Sequence, residues 1–338
     1  MKIFIVGGTG LLGSEAAKEL IKRGHQVTSI ALPPIPMGAN LPPEMELTLG
    51  NYLTMSDDEL RARFLGCEGF IFAAGVDERV EGPAPIYDFY DKYNIKPLER
   101  MLKIAKEAGV KHVVVLGSYF AYFDHARPDL HMAEEHPYVR SRVAQEKLAF
   151  SFAEDGVMDV AVLELPYIFG TQPGRKPVWV FLVEMVKKMK PFTMWPKGGT
   201  TMVTVRQVGQ AIAGALERNK GAQGYPIGWY NMTWKQMLTL FHKSMGTPKK
   251  KIWTIPTSFF KIGMKSVVKD QKKRHIDGGL KMVEFTKVMT SVLFIKPEQA
   301  CIPLGVTEDD IEAAIAASVE LSLDVINKRT EVVAMKGE

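Results

Sequence analysis

The first thirteen residues, Met1-Lys-Ile-Phe-Ile-Val-Gly-Gly-Thr-Gly-Leu-Leu-Gly13, constrain this chain more than any other stretch. Lys2 to Val6 is a short, mostly apolar run suited to a buried parallel strand. Glycines at 7, 10 and 13 follow at once, and an amphipathic helical pattern runs from about Leu11 to Lys22. Gly7 permits a sharp exit from the strand, Gly10 lets backbone approach a pyrophosphate, and Gly13 lets the helix pack closely. The helix N-terminus adds free amides and a positive dipole end. In this strand–turn–helix context the spacing predicts a dinucleotide-binding turn.

The rest of the chain continues the alternation. Predicted strands cover Gln26–Leu32, Glu46–Leu49, Gly69–Ala74, Lys111–Leu116 and Asp159–Leu165. Helices are expected over Ser56–Phe64, over a long run Ile86–Ala108, and over Tyr138–Glu154, with a loop from Asp124 to Pro137. This is the signature of a doubly wound parallel (Rossmann) α/β sheet, here residues 1–165. Beyond Pro166 the pattern loosens into a smaller C-terminal α/β substrate domain, 166–338, with a segment near 200–220 returning to the first domain.

The second strand usually decides the cofactor, because a carboxylate at its end binds the ribose hydroxyls of NAD and a basic residue admits the phosphate of NADP. Ala31 and Leu32 supply neither, so NADP and NAD both stay open, with a lean to NADP because no carboxylate repels its phosphate. The net charge is +5, yet Lys249 to Lys287 holds eleven Lys/Arg against three acids, so the remainder sums to −3. That argues against a general nucleic-acid binder and for one local basic surface. Two distant cysteines, no leader segment and no long apolar run lead us to expect a cytoplasmic protein without stable membrane insertion. His125, His131 and His136 have no metal-ligand spacing, and no metal site is expected.

With these residues in view, the chain resembles an extended short-chain dehydrogenase/reductase of the NAD-dependent epimerase/dehydratase type, over nearly its whole length. The resemblance places Gly7, Thr9, Gly10, Leu11, Leu12 and Gly13 at the pyrophosphate turn, and Ala73, Ala74 and Gly75 at a small-residue strand end near the cofactor. It implies cofactor contacts from Asn94, Pro166 and Ile168. Asn51 and Tyr52, after the third strand, are candidates at the adenine. Ser118 matches the family's strand-end serine, and Tyr138 its catalytic tyrosine. The family's lysine four residues later is Arg142 here, on the same helical face. Arginine keeps the charge that favours tyrosinate and can bond the ribose, but it cannot relay a proton. Sugar-nucleotide members carry an arginine and an aspartate around the later strand, where this chain has Thr200, Thr201 and Gln207.

The resemblance implies an NAD(P)-dependent oxidoreductase that transfers hydride to or from a carbonyl or secondary alcohol of a small-molecule substrate. Ser118, Tyr138 and Arg142 would be its catalytic residues. A nucleotide-sugar epimerase/dehydratase and a non-catalytic NAD(P)-binding sensor or partner subunit are the alternatives. Family members commonly pair two helices per subunit, so a homodimer through Ile86–Ala108 and Tyr138–Glu154 is expected, each helix keeping an apolar stripe free.

Overall fold

The computed structural model describes residues 1–334. At its centre lies a parallel sheet of seven strands. These are β1 (Lys2–Val6), β2 (Gln26–Ala31), β3 (Glu46–Leu49), β4 (Gly69–Phe72), β5 (His112–Leu116), β6 (Asp159–Glu164) and β7 (Ala222–Pro226). Their spatial order is β7-β6-β5-β4-β1-β2-β3, so the winding reverses between β1 and β4. A crevice forms beyond the carboxyl ends of strands at such a reversal, and it is where ligands bind in open α/β sheets.

Period-two alternation splits the sheet residues between two apolar layers. Ile3, Ile5, Ile71, Val114 and Leu163 face α1 (Leu11–Lys22) on one side. Phe4, Phe70, Phe72, Val113 and Val162 face α2 (Asp57–Phe64) and α3 (Lys96–Glu107) on the other. Phe64 meets Phe4 and Phe70 edge-on at 4.9 and 5.0 Å.

Three features differ from the sequence expectations. The run Ile86–Ala108 is not one helix: a short turn Tyr87–Tyr90 passes into a π-turn, Asp91–Ile95, before α3. Pro97 has no N–H to give the Tyr93 carbonyl, so an unbroken α-ladder cannot pass this point. The Asp124–Pro137 segment is partly helical (Tyr119–Ala126 and Met132–Glu135), pinned where Asp124 accepts the Ala133 amide at 2.7 Å. Helix α4 spans Pro137–Phe150 rather than Tyr138–Glu154.

Helix α5 (Val205–Arg218) is opened by a Thr204/Gln207 capping box. It packs on α1 so closely that a Cβ on Gly209 would lie 3.0 Å from the Glu15 carbonyl. β7 follows it and completes the sheet beside β6. Its sequence, Ala-Gln-Gly-Tyr-Pro, has no β-branched residue; it is an edge strand held by main-chain pairing.

The remaining C-terminal residues build a small sheet around Gly199–Thr204, with an aromatic core that includes Phe169, Trp179, Trp234 and Phe241. The basic stretch forms a surface helix, Thr257–Lys273, with no buried residue. Among the described residues no helix is long and apolar enough to cross a membrane.

Candidate active site

A cleft of about 700 Å³ opens at the carboxyl ends of β1, β2, β4 and β5. Its first wall is the glycine turn. Gly7 has φ +97° and donates to the Ile30 carbonyl at 2.8 Å; a Cβ there would lie 2.5 Å from the Ala73 oxygen. A Cβ on Gly13 would lie 2.3 Å from the Gly7 oxygen, so Gly13 allows close packing inside the turn and does not line the cleft. Gly10 caps α1 without a side-chain bond, and its added Cβ would meet only the Gly7 oxygen, at 3.1 Å. The first-turn amides and the open side of Gly10 are therefore left for an anion.

Thr9, Leu11, Leu12, Ala73, Ala74 and Gly75 line the same wall. The far end is lined by Ala31, Leu32, Pro33 and Pro34 and by Asn51 and Tyr52. No lysine or arginine stands on these two segments to meet a 2′-phosphate. Asn51 is partly committed, because its Oδ1 accepts the Leu53 amide at 3.1 Å. Sequence reasoning missed Arg175, which reaches across the cleft to donate to Thr9 Oγ1 (2.8 Å) and to the Thr9 carbonyl (3.3 Å). Only its place after the Pro166–Gly170 segment hinted at this role.

The other end gathers Ser118, Tyr138, Arg142, Pro166 and Ile168. Ser118 caps the helix after β5, its Oγ accepting the Phe120 amide at 3.4 Å. Tyr138 and Arg142 meet as their four-residue spacing requires: Arg142 Nε donates to the Tyr138 hydroxyl at 3.1 Å. The rest of the guanidinium is turned into the protein. Nη1 donates to Gln145 Oε1 (2.8 Å) and the Leu116 carbonyl (3.5 Å), and Nη2 to the Val76 carbonyl (3.2 Å). Four donations thus go to protein partners, and one N–H of Nη2 is left. The expectation of an arginine fork on the ribose is corrected to an internal clamp with little left to offer a cofactor.

The clamp continues behind the cleft. Gln145 donates to the Asn94 carbonyl at 2.8 Å, and Asn94 holds Val76 through both its amide groups, at 2.8 and 3.0 Å. Asn94 is fully buried by the π-turn and does not reach the cleft wall, which corrects its placement among the cofactor contacts. It positions the β4 loop instead. The expected depression of the Tyr138 pKa is also reversed. Burial raises it and outweighs the opposing Arg142 charge, since Tyr90 and Phe120 enclose the ring at 5.4 and 6.4 Å.

One carboxyl in this wall was not expected. Glu78, on the loop after β4, is pushed up to about 7 by burial and by neighbouring Asp77, against the charges of Arg79 and Arg142. Nothing in its sequence spacing marks it. Tyr119, Tyr167, Trp179 and Phe181 make the surrounding wall largely aromatic. The three histidines do not converge: His131 pairs with Glu134, while His136 is buried, lowered to about 4 by desolvation, and accepts the Lys281 amide. Among the described residues no three His, Cys, Asp or Glu stand close enough to hold a metal.

This geometry agrees with comparisons to known proteins. A model described as the NAD dependent epimerase/dehydratase family matches residues 3–228. The chain is 21% identical to a putative dihydroflavonol 4-reductase of Synechocystis sp. over 338 residues, 94% of this chain and 93% of the relative. It is 23% identical over 214 residues to an uncharacterized UDP-glucose epimerase, YtcB, of Bacillus subtilis. That match covers 59% of this chain and 66% of the relative, just under two thirds of its length. The fold is shared with UDP-glucuronic acid 4-epimerase from Bacillus cereus, solved in complex with UDP-glucuronic acid and NAD. The TM-score is 0.69 at 15% identity, covering 96% of this chain and all of that one.

Proposed function

The chain belongs to the NAD dependent epimerase/dehydratase family, and from that premise we propose that it is an oxidoreductase acting on a small, largely apolar carbonyl or secondary alcohol. The observation that carries this reading is the Tyr138 hydroxyl, held by Arg142 Nε at 3.1 Å, in the same cleft as the glycine turn. Bound NAD supplies the hydride acceptor or, once reduced, the donor. The open first turn of α1 would hold its pyrophosphate, with Gly10 giving room. Tyr138 accepts one hydrogen bond from Arg142, so its own O–H is free to donate to a substrate oxygen. With its pKa raised by burial it rests as the phenol, the form that protonates an oxygen as a carbonyl is reduced. Ser118 Oγ can place a second O–H on the same oxygen. The aromatic wall of Tyr119, Tyr167, Trp179 and Phe181 suits an apolar substrate body.

The test is NADH oxidation by wild type and Tyr138→Phe across ketones of increasing apolar area. Turnover that survives Tyr138→Phe unchanged would remove Tyr138 from the reaction. The likeness to a UDP-glucose epimerase keeps a nucleotide-sugar substrate as the second reading. Tightly retained NAD and interconversion of UDP-sugars without net NADH consumption would favour it. A protein that binds NAD but turns over neither class would be a sensor or partner subunit.

The same reading places the protein in the cytoplasm, supported by two free, buried cysteines, Cys67 and Cys301. It also pairs two copies through α3 and α4. Half-buried Val143, Ala144 and Leu148 on α4 support this, whereas the exposed side of α3 offers Lys96 and Lys103 rather than an apolar stripe. Sedimentation showing only monomer at micromolar concentration would remove the dimer.

A further inference from the structure

Reduction of a carbonyl consumes a hydride at carbon and a proton at oxygen. When Tyr138 gives its proton, the phenol O–H breaks, the substrate O–H forms, and a phenolate remains beside Arg142. That phenolate must be reloaded before the next turnover. Arg142 cannot do it, because a guanidinium does not release its proton at working pH, and four of its five N–H groups donate to protein partners. Water can reload the phenolate slowly; an acid in the same cleft would do so faster.

Glu78 stands in that cleft, on the loop that Asn94 and Arg142 hold through Val76. Tyr119, Tyr138 and Tyr167, from separate elements, line the same cleft. Tyr138 packs 5.4 Å from Tyr90, and Tyr119 packs 6.2 Å from Tyr167. The charges facing Glu78 are Asp77 and Arg79 on its own loop and Arg142 from α4, and Arg175 and Lys176 line the same cleft. Asp77 is held in a two-pronged pair by Arg79, so of the two adjacent carboxyls Glu78 is the one without such a partner among the described residues.

We propose that Glu78 is the proton relay that the substitution of arginine for the family's lysine would otherwise leave missing. After each reduction its carboxylic acid gives a proton to the Tyr138 phenolate through water in the cleft. The resulting carboxylate regains a proton from solvent through the cleft mouth. In the oxidation direction the proton runs the other way, from Tyr138 to the Glu78 carboxylate. The inference rests on the oxidoreductase reading. The raised pKa of about 7 agrees with it, since both forms of the acid are then populated near neutrality.

Glu78→Gln keeps the shape and removes the titration. In wild type the steady-state rate of carbonyl reduction should fall as pH rises above about 7. In Glu78→Gln that limb should vanish and the rate at pH 6 should drop roughly 10- to 100-fold, with NADH affinity unchanged. Glu78→Ala should be rescued by added formate, which leaves wild type unaffected; this arm reads the relay even if the glutamine variant folds poorly. Identical pH profiles in wild type and Glu78→Gln, or no formate rescue, would overturn the relay while Tyr138→Phe still abolishes turnover. Wild-type turnover that is absent, or that persists in Tyr138→Phe, would instead overturn the oxidoreductase reading, and the relay with it.

Discussion

The two ends of the cleft are built from different materials. At the cofactor end the working groups are backbone: a turn with φ +97° at Gly7, an uncapped helix start at Gly10, and contacts that only missing side chains permit. At the reaction end they are side chains from separated elements. Ser118 follows β5, Tyr138 and Arg142 lie on α4, Glu78 follows β4, and Asn94 sits in the π-turn behind. The first end is fixed by sterics over thirteen consecutive residues. The second depends on a hydrogen-bond chain running Tyr138–Arg142–Gln145–Asn94–Val76. Backbone sites therefore fail by collision, and side-chain networks fail by losing a partner.

That contrast can be pressed from both sides. The largest effect is expected at Gly13→Val, whose Cβ would stand 2.3 Å from the Gly7 oxygen and 2.9 Å from its carbon, with only backbone to move. Stability should fall by about 3 kcal/mol or more, read as a lower denaturation midpoint in urea. Gly10→Val should leave the fold intact and weaken NAD binding on the order of 100-fold, the value of about two hydrogen bonds to a charged group. Fluorescence titration checks it, and unchanged affinity would show that the pyrophosphate lies elsewhere.

At the other end Arg142→Lys should destabilise by about 2 kcal/mol, because a single ammonium cannot span Tyr138, Gln145 and two carbonyls. Restoring the family's lysine would therefore impair this protein rather than improve it. A stable, faster Arg142→Lys enzyme would show that the clamp is dispensable.

The smallest effect concerns Glu164, at the end of β6 behind the reaction end. Burial first, and then its neighbour Glu146, push it up to about 8. Its folded pKa lies above the unfolded value, so the folded state holds a proton that the unfolded chain releases. Stability should then be full below about pH 4.5 and decline as pH rises toward 8. Glu164→Gln should flatten that decline in calorimetric melts across pH 5.5 to 8.5.

The same contrast explains what could be read from the sequence. The glycine turn, the alternating strands and the Tyr138/Arg142 spacing were legible because each is a local pattern with one physical meaning. Six of the seven strands were predicted. β7 was not, because Ala222–Pro226 lacks strand-forming residues and is held by pairing to β6. The inward swing of Asn94 could not be seen in a helical periodicity that one proline interrupts. Arg175 and Glu78 reach the cleft only through the fold of their loops, and no spacing announces either. The spacing puts Arg142 beside Tyr138, as the structure has it. Its partners Leu116, Val76 and Gln145 decide what it does, and only Gln145 lies within a helical turn of it.

The central claim is that the Tyr138 hydroxyl, in the cleft of the glycine turn, carries the proton in a hydride transfer. The most direct measurement is single-turnover oxidation of NADH by an apolar ketone, in wild type and in Tyr138→Phe, with NADH binding measured in parallel. The account predicts equal NADH affinity and a rate at least about 100-fold lower in Tyr138→Phe, the usual value of a positioned general acid. Equal rates in the two proteins would contradict it.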